Sequence, residues 1–157
     1  MDNTSSNEKQ KWPRRRTMRE VIFKILFSFD SNRISDEQYI NNLIVELLSE
    51  QDIYDRPLTE EAHEYIRDIL RKQDEIDDII KKYLFNWDWN RIASVDKNVL
   101  RLGIYELLFK MKIPVEVTMN EAVEIAKRYG TDKSSKFVNG VLDSVSREMV
   151  PKEKLSL

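Results

Sequence analysis

Apolar residues recur at helical spacing along nearly the whole chain, and no stretch alternates for long enough to make a convincing strand. Ile22, Ile25, Leu26 and Phe29 form one stripe, and Ile40, Leu43, Ile44, Leu47 and Leu48 a second. Ala62, Tyr65, Ile66, Ile69 and Leu70 form a third; Ile76, Ile79, Ile80, Tyr83 and Leu84 form a fourth. Members of such a stripe share one helix face, so each segment has one side to bury. The fifth segment, VDKNVLRLGIYELLF (95–109), is apolar on nearly every side. That predicts a helix buried all round, in which Arg101 and Glu106 must reach the surface or pair internally.

Pro114 ends the fifth helix, and VEVT reads as an extended link. TMNE (118–121) fits a capping box, with Thr118 bonding the N3 amide and Glu121 returning to the cap. Ala122, Ile125, Ala126 and Tyr129 make the sixth stripe, closed by Gly130 as a C′ glycine. TDKSS opens a seventh helix with Phe137, Val138, Val141, Leu142 and Val145 inward. Asn139-Gly140 is a hairpin signal, but the helical period runs through it unbroken; Gly140 then permits close helix packing. VPKEKLSL is a short tail. The expected fold is all-α, about seven helices in two packed helical bundles. Residues 1–13 form a disordered tail, 14–72 the first bundle and 73–150 the second, in a single compact domain with its seam near Lys72-Gln73.

Composition narrows the function. With 41% hydrophobic and 34% charged residues, the chain belongs with globular proteins. No apolar run approaches the roughly 20 residues that span a bilayer. The first twelve residues lack the apolar core of a secretory signal, and a cytoplasmic location is expected. The absence of cysteine excludes disulfides, thiolate metal sites and a thiol nucleophile. His63 is the only histidine, so no second imidazole can complete a metal or triad site with it. Asp74, Glu75, Asp77 and Asp78 lie on the polar side of an amphipathic helix. Three glycines, Gly103, Gly130 and Gly140, make no phosphate loop. The chain reads as a non-enzyme without metal or cofactor.

Charge is unevenly spread. Residues 1–19 hold six basic and two acidic side chains, a net +4, which leaves −6 on the remainder of a chain whose total is −2. A basic arm on an acidic body suggests a polyanionic partner met locally. Pro13 reads as the opening of the first helix, which sets Arg14, Arg15, Arg16 and Arg19 at a helix N-terminus. There the macrodipole favours acids, so the arginines have the wrong sign for stability alone. A second basic site is KRYGTDKSSKF (127–137), where Lys127, Arg128, Lys133 and Lys136 outnumber Asp132. Free amides and the Ser134 and Ser135 hydroxyls at the seventh helix start offer an anion site. Tyr129 and Phe137 flank it, and cations interleaved with aromatics suit single-stranded nucleic acid. Trp87 and Trp89, in the loop after the fourth stripe, could stack bases or pack between the bundles.

Three blocks carry a family resemblance. RRTMREVIFKILFSFD (15–30) resembles the opening of the NusB family of transcription antitermination factors, an R-R-x-x-R-E motif followed by an apolar run. VDKNVLRLGIYEL (95–107) is similar to that family's central helix, with its D/E-K-x-x-L-R pattern. IPVEVTMNEAVEIAKRYGTDKSSKFVNGVLD (113–143) is similar to the family's long C-terminal motif, and the blocks follow the family's order over about residues 14–146.

The resemblance implies two packed helical bundles that bind the boxA element of ribosomal-operon RNA. It implies a heterodimer with NusE, a small-subunit ribosomal protein, that joins the RNA polymerase elongation complex with other Nus factors and suppresses premature termination. Carried over residue by residue, Arg15, Arg16 and Arg19 match RNA-binding arginines. Lys133, Ser134, Lys136 and Phe137 lie in the second RNA-contacting segment, with Tyr129 at its aromatic position. Phe27 and Asp96 align with positions facing NusE, and Arg101 is carried over as a structural charge. Met18 and Met119 depart conservatively from the pattern, and the NWDWN loop has no counterpart in it. Family members occur as monomers and as homodimers. NusB-like domains also precede ribosomal-RNA methyltransferases, so an accessory RNA-binding domain is an alternative, as is a purely protein-binding scaffold.

Overall fold

Three helices, α1 (Asn3–Ser28), α2 (Glu37–Ser49) and α3 (Arg56–Arg71), open the chain. Then come α4 (Gln73–Lys82), a single 3-10 turn (Trp89–Arg91), α5 (Ser94–Phe109), α6 (Val115–Tyr129), α7 (Ser134–Met149) and α8 (Lys152–Leu155). The computed structural model describes residues 3–30 and 36–157, with side chains from residue 13 onward. Among the described residues there is no strand, and the fold is all-α. None of their helices is long and apolar enough to cross a membrane. The chain divides into two units, Met1–Asp68 and Ile69–Leu157. The Lys72–Gln73 junction lies a few residues past that division, between α3 and α4.

In the first unit, the predicted stripes are the buried faces. Met18, Ile22, Ile25 and Phe29 of α1, Ile40, Ile44 and Leu48 of α2, and Ala62, Tyr65 and Ile66 of α3 are all buried. Asp36 caps α2 by accepting from the Gln38 amide at 3.0 Å. Asp55 caps α3, its Oδ1 accepting from the Leu58 amide at 3.1 Å.

α1 differs from its expectation. It begins at Asn3 rather than at Pro13, which sits inside it. Glu8, Lys9, Gln10 and Lys11 are good helix formers, and their propensity competes with the proline penalty. The side chains of Lys9 and Lys11, counted in the basic arm, lie outside the described residues, as do Met1 and Asp2. Arg14 to Arg19 therefore lie mid-helix, beyond the first turn to which the dipole effect is confined. Their anticipated conflict with the dipole does not exist.

The second unit is built around α5, against which α4, α6 and α7 pack. Every residue of α5 from Asn98 to Leu107 is buried, as its unbroken apolar pattern requires. Both embedded charges are paired. Arg101, 5% exposed, forks onto Asp77 of α4, Nε to Oδ1 at 2.8 Å and Nη2 to Oδ2 at 2.9 Å. Asp77 therefore leaves the solvated acidic face on which the sequence placed it. Glu106 accepts from the Thr118 hydroxyl of α6 at 2.8 Å.

That bond overturns the capping box. Pro114 is the N-cap of α6, so VEVT is helical and Thr118 lies within the helix. The Thr118 side chain serves a buried carboxylate instead of its own helix end. Two glycine readings also change. A Cβ on Gly103 would approach Leu142 Cδ1 to 2.9 Å, so Gly103 is what lets α5 and α7 close on each other. Gly140 has nothing near its Cβ direction and plays no packing role. Gly130 caps α6 with φ −99°, not in the left-handed region; it is needed because a Cβ there would strike the Ser134 side chain.

The tail folds back. Pro151 opens α8, and the Lys154 ammonium donates to the carbonyls of Glu106, Leu107 and Lys110 at 2.6, 3.0 and 2.9 Å. These carbonyls lie at the C-terminal end and C-cap of α5, where the negative end of its dipole stands; those of Glu106 and Lys110 also accept from the Lys110 and Ile113 amides. Burial pushes the Lys154 ammonium down to about 8, and nearby Glu106 pulls it partly back.

Candidate nucleic-acid interface

The arginines of α1 occupy three environments. Arg14 reaches Asp55 Oδ2 at 3.1 Å, so Asp55 both caps α3 and anchors α1. Arg15 forms a bidentate pair with Glu61 of α3, Nη1 to Oε2 at 2.9 Å and Nη2 to Oε1 at 2.7 Å. Arg16 is exposed. Arg19 is only 2% exposed. Asp55, at the cap of α3, and Glu61 within it thus hold the first two guanidinium groups in place, and Arg16 is the most accessible of the three sequence candidates.

The second basic site lies at the start of α7. Lys133 is its N-cap residue and makes no side-chain capping bond. Lys133 and Lys136 are exposed, while Tyr129 and Phe137 are half-buried. Ser134 behaves differently from its neighbours. It is buried, accepts from the Thr131 amide at 3.0 Å and lies 3.3 Å from the Thr131 hydroxyl. The Ser134 hydroxyl predicted to serve an anion site is therefore engaged by the protein's own Thr131. Exposed Lys127, Arg128, Lys133 and Lys136 and the half-buried Phe137 ring remain for a ligand.

Phe137 has a partner the sequence did not identify. The Trp87 ring lies against it, with centroids 5.7 Å apart and planes at 58°. Trp89 turns elsewhere. The cations of Lys97, Lys81 and Arg101 lie over its ring at 4.3, 5.1 and 5.9 Å. Trp89 is thus a packing residue of the second unit, and Trp87 belongs to the α7 surface.

Elsewhere the chemistry is sparse. His63 Nε2 is buried without a hydrogen-bond partner among the described residues. No group of three His, Asp or Glu side chains among those residues could hold a metal.

Comparison with known proteins places this arrangement. The NusB family model matches residues 16–147. The chain belongs to the NusB family. The transcription antitermination protein NusB of Thermotoga maritima is 50% identical over 147 residues, covering 94% of this chain and 99% of the relative. A crystal form of T. maritima NusB matches with a TM-score of 0.80, over 91% of this chain and 97% of that one. A chain from the crystal structure of the antitermination factors NusB and NusE in complex with double-stranded RNA matches with a TM-score of 0.73. Its identity is 29%, over 87% of this chain and 98% of that one.

The NusB positions expected to face NusE are also placed. Phe27 is exposed on α1, with its ring 6.0 Å from that of Phe23. Asp96 stands in the first turn of α5, half-buried. Burial pushes its carboxyl above the usual carboxylate range, and the Ser134 hydroxyl partly offsets this. Asp96 Oδ1 has no hydrogen-bond partner among the described residues. Asp96, a NusE-facing candidate, thus lies close enough to Ser134, an RNA-facing candidate, for the hydroxyl to favour its ionised form, a proximity that spacing alone does not reveal.

Proposed function

We propose that this NusB-family chain is an RNA-binding transcription antitermination factor. It binds boxA-type RNA of ribosomal RNA operons together with NusE, and acts on RNA polymerase with other Nus factors. It works in the cytoplasm and by binding, without catalysis. One observation carries the reading: the family match spans residues 16–147, so Arg16, Arg19 and the Lys133 to Phe137 segment all fall inside it. A related NusB chain solved with NusE and double-stranded RNA supports the choice of partners.

The chemistry is consistent with this reading. Arg16, Lys133 and Lys136 are exposed cations suited to phosphates, and half-buried Phe137 offers a ring to a base. Arg15 is held bidentately by Glu61 through both terminal nitrogens, so a phosphate would meet it on its remaining N–H groups. Fluorescence anisotropy with a labelled boxA-type RNA, with and without NusE, tests the reading. Preference for boxA over a scrambled RNA is expected, strengthened by NusE. Equal binding of both RNAs, even with NusE present, rejects it.

A further inference from the structure

We infer that Trp87 is a base-stacking residue, which with Phe137 forms an aromatic platform for unpaired RNA bases on the second unit. The inference rests on the RNA-binding reading and adds a loop that the sequence pattern leaves unassigned.

Trp87 is 60% exposed, although an indole is among the largest apolar surfaces a chain can bury. Among the described residues its ring neighbour is Phe137, and the tilted geometry engages part of the indole while leaving much of it in water. Packing alone does not account for that placement. Trp89, two residues on, shows what a packed tryptophan looks like here, ringed by Lys81, Lys97 and Arg101.

The backbone holds the loop in an uncommon shape. Phe85 has φ +51°, left-handed for a residue with a bulky side chain. Its ring is 84% exposed, so burial of that ring does not repay the strain. The same turn is closed by the Trp87 amide donating to the Leu84 carbonyl at 2.9 Å. Strain at Phe85 is therefore part of the turn that positions Trp87, and such strain gathers at functional sites.

Charge indicates which partner fits. Lys81 and Lys82 close α4 just before the loop, and Lys133 and Lys136 flank Phe137; all four are exposed. Two carboxylates lie in the same segments: Asp132, and Asp88, whose Oδ1 is occupied by the Asn90 amide. Aromatic rings among cations suit single-stranded nucleic acid, where bases stack and phosphates are neutralised.

The test measures binding of the full chain to a short single-stranded boxA-type RNA with 2-aminopurine at successive positions. Trp87→Ala should weaken binding about ten-fold, the loss of one base stack, and leave the salt slope unchanged because no phosphate contact is removed. It should also abolish 2-aminopurine quenching at one position. Trp87→Phe should retain most affinity. Trp87→Leu keeps apolar cover over Phe137 without an aromatic face, and should behave like the alanine variant. Wild-type affinity in Trp87→Leu overturns the inference while the RNA-binding reading stands. Unchanged RNA affinity with weaker NusE association also overturns it, and marks the loop as a protein-docking surface. If the unaltered chain binds no RNA, the functional reading fails and the inference fails with it.

Discussion

Thr118 of α6 donates its hydroxyl to the carboxylate of Glu106 on α5 at 2.8 Å, and both side chains are buried. A buried carboxylate needs such donors, because an unpaired one costs far more than a neutral polar group. Thr118→Val keeps the shape and removes this donor. The variant should lose about 2 kcal/mol of stability, measured by urea denaturation. Serine at the same position should restore most of it.

The Arg101–Asp77 fork joins α5 to α4 with both side chains nearly sequestered, at 6% and 13% exposure. Removing Asp77 strips buried Arg101 of its bidentate carboxylate, with Nη1 still donating to the Asn98 side chain at 3.0 Å. Asp77→Ala should therefore cost about 3 kcal/mol or more. The exposed Arg56–Glu60 pair is the control: Arg56→Ala should change stability by well under about 1 kcal/mol.

Lys154 makes stability depend on alkaline pH. Burial lowers its ammonium from 10.5 to about 8 in the folded chain. Between those values the unfolded chain holds a proton that the folded chain has released, so this group makes stability rise with pH across the window. Below about 8 both states are protonated and the burial penalty is present in full. Lys154→Met should remove this contribution. The difference in unfolding free energy between the two proteins, followed from pH 7.5 to pH 10.5, should change in that window and flatten below it.

The α1 arginines should separate by environment. Arg16→Ala should reduce the log–log salt slope of RNA binding by about 0.7, one phosphate contact on a single strand, with little change in stability. Arg19→Ala should chiefly destabilise the fold, because the side chain is buried. Parallel salt titrations and thermal melts check both outcomes. An Arg19→Ala protein as stable as wild type with a reduced slope would show that this guanidinium reaches RNA.

Much of this was legible in the sequence, and the exceptions share a cause. The stripes beginning at Ile22, Ile40, Ala62 and Ile76 became buried faces because periodicity is a local property of one helix. All-round burial of α5 was legible for the same reason. Thr118 misled because T-x-x-E is also compatible with a helix interior, and its true partner, Glu106, belongs to another helix. The close-packing role expected of Gly140 belongs to Gly103, because only the packing of α7 decides which glycine meets a neighbour. Lys154 gave no signal, since its carbonyl partners lie more than forty residues away.

The candidate site divides in the same way. Its basic and aromatic residue types could be read from the chain, but the burial of Arg19 and Ser134 and the contact of Trp87 with Phe137 needed the fold.

The most direct test is transcription through a terminator placed downstream of a boxA leader, with RNA polymerase, NusE and the other Nus factors. Adding this protein should raise readthrough on the boxA template and leave a scrambled-leader template unchanged, and Arg16→Ala should lower the gain. Equal readthrough with and without the protein on the boxA template would contradict the account.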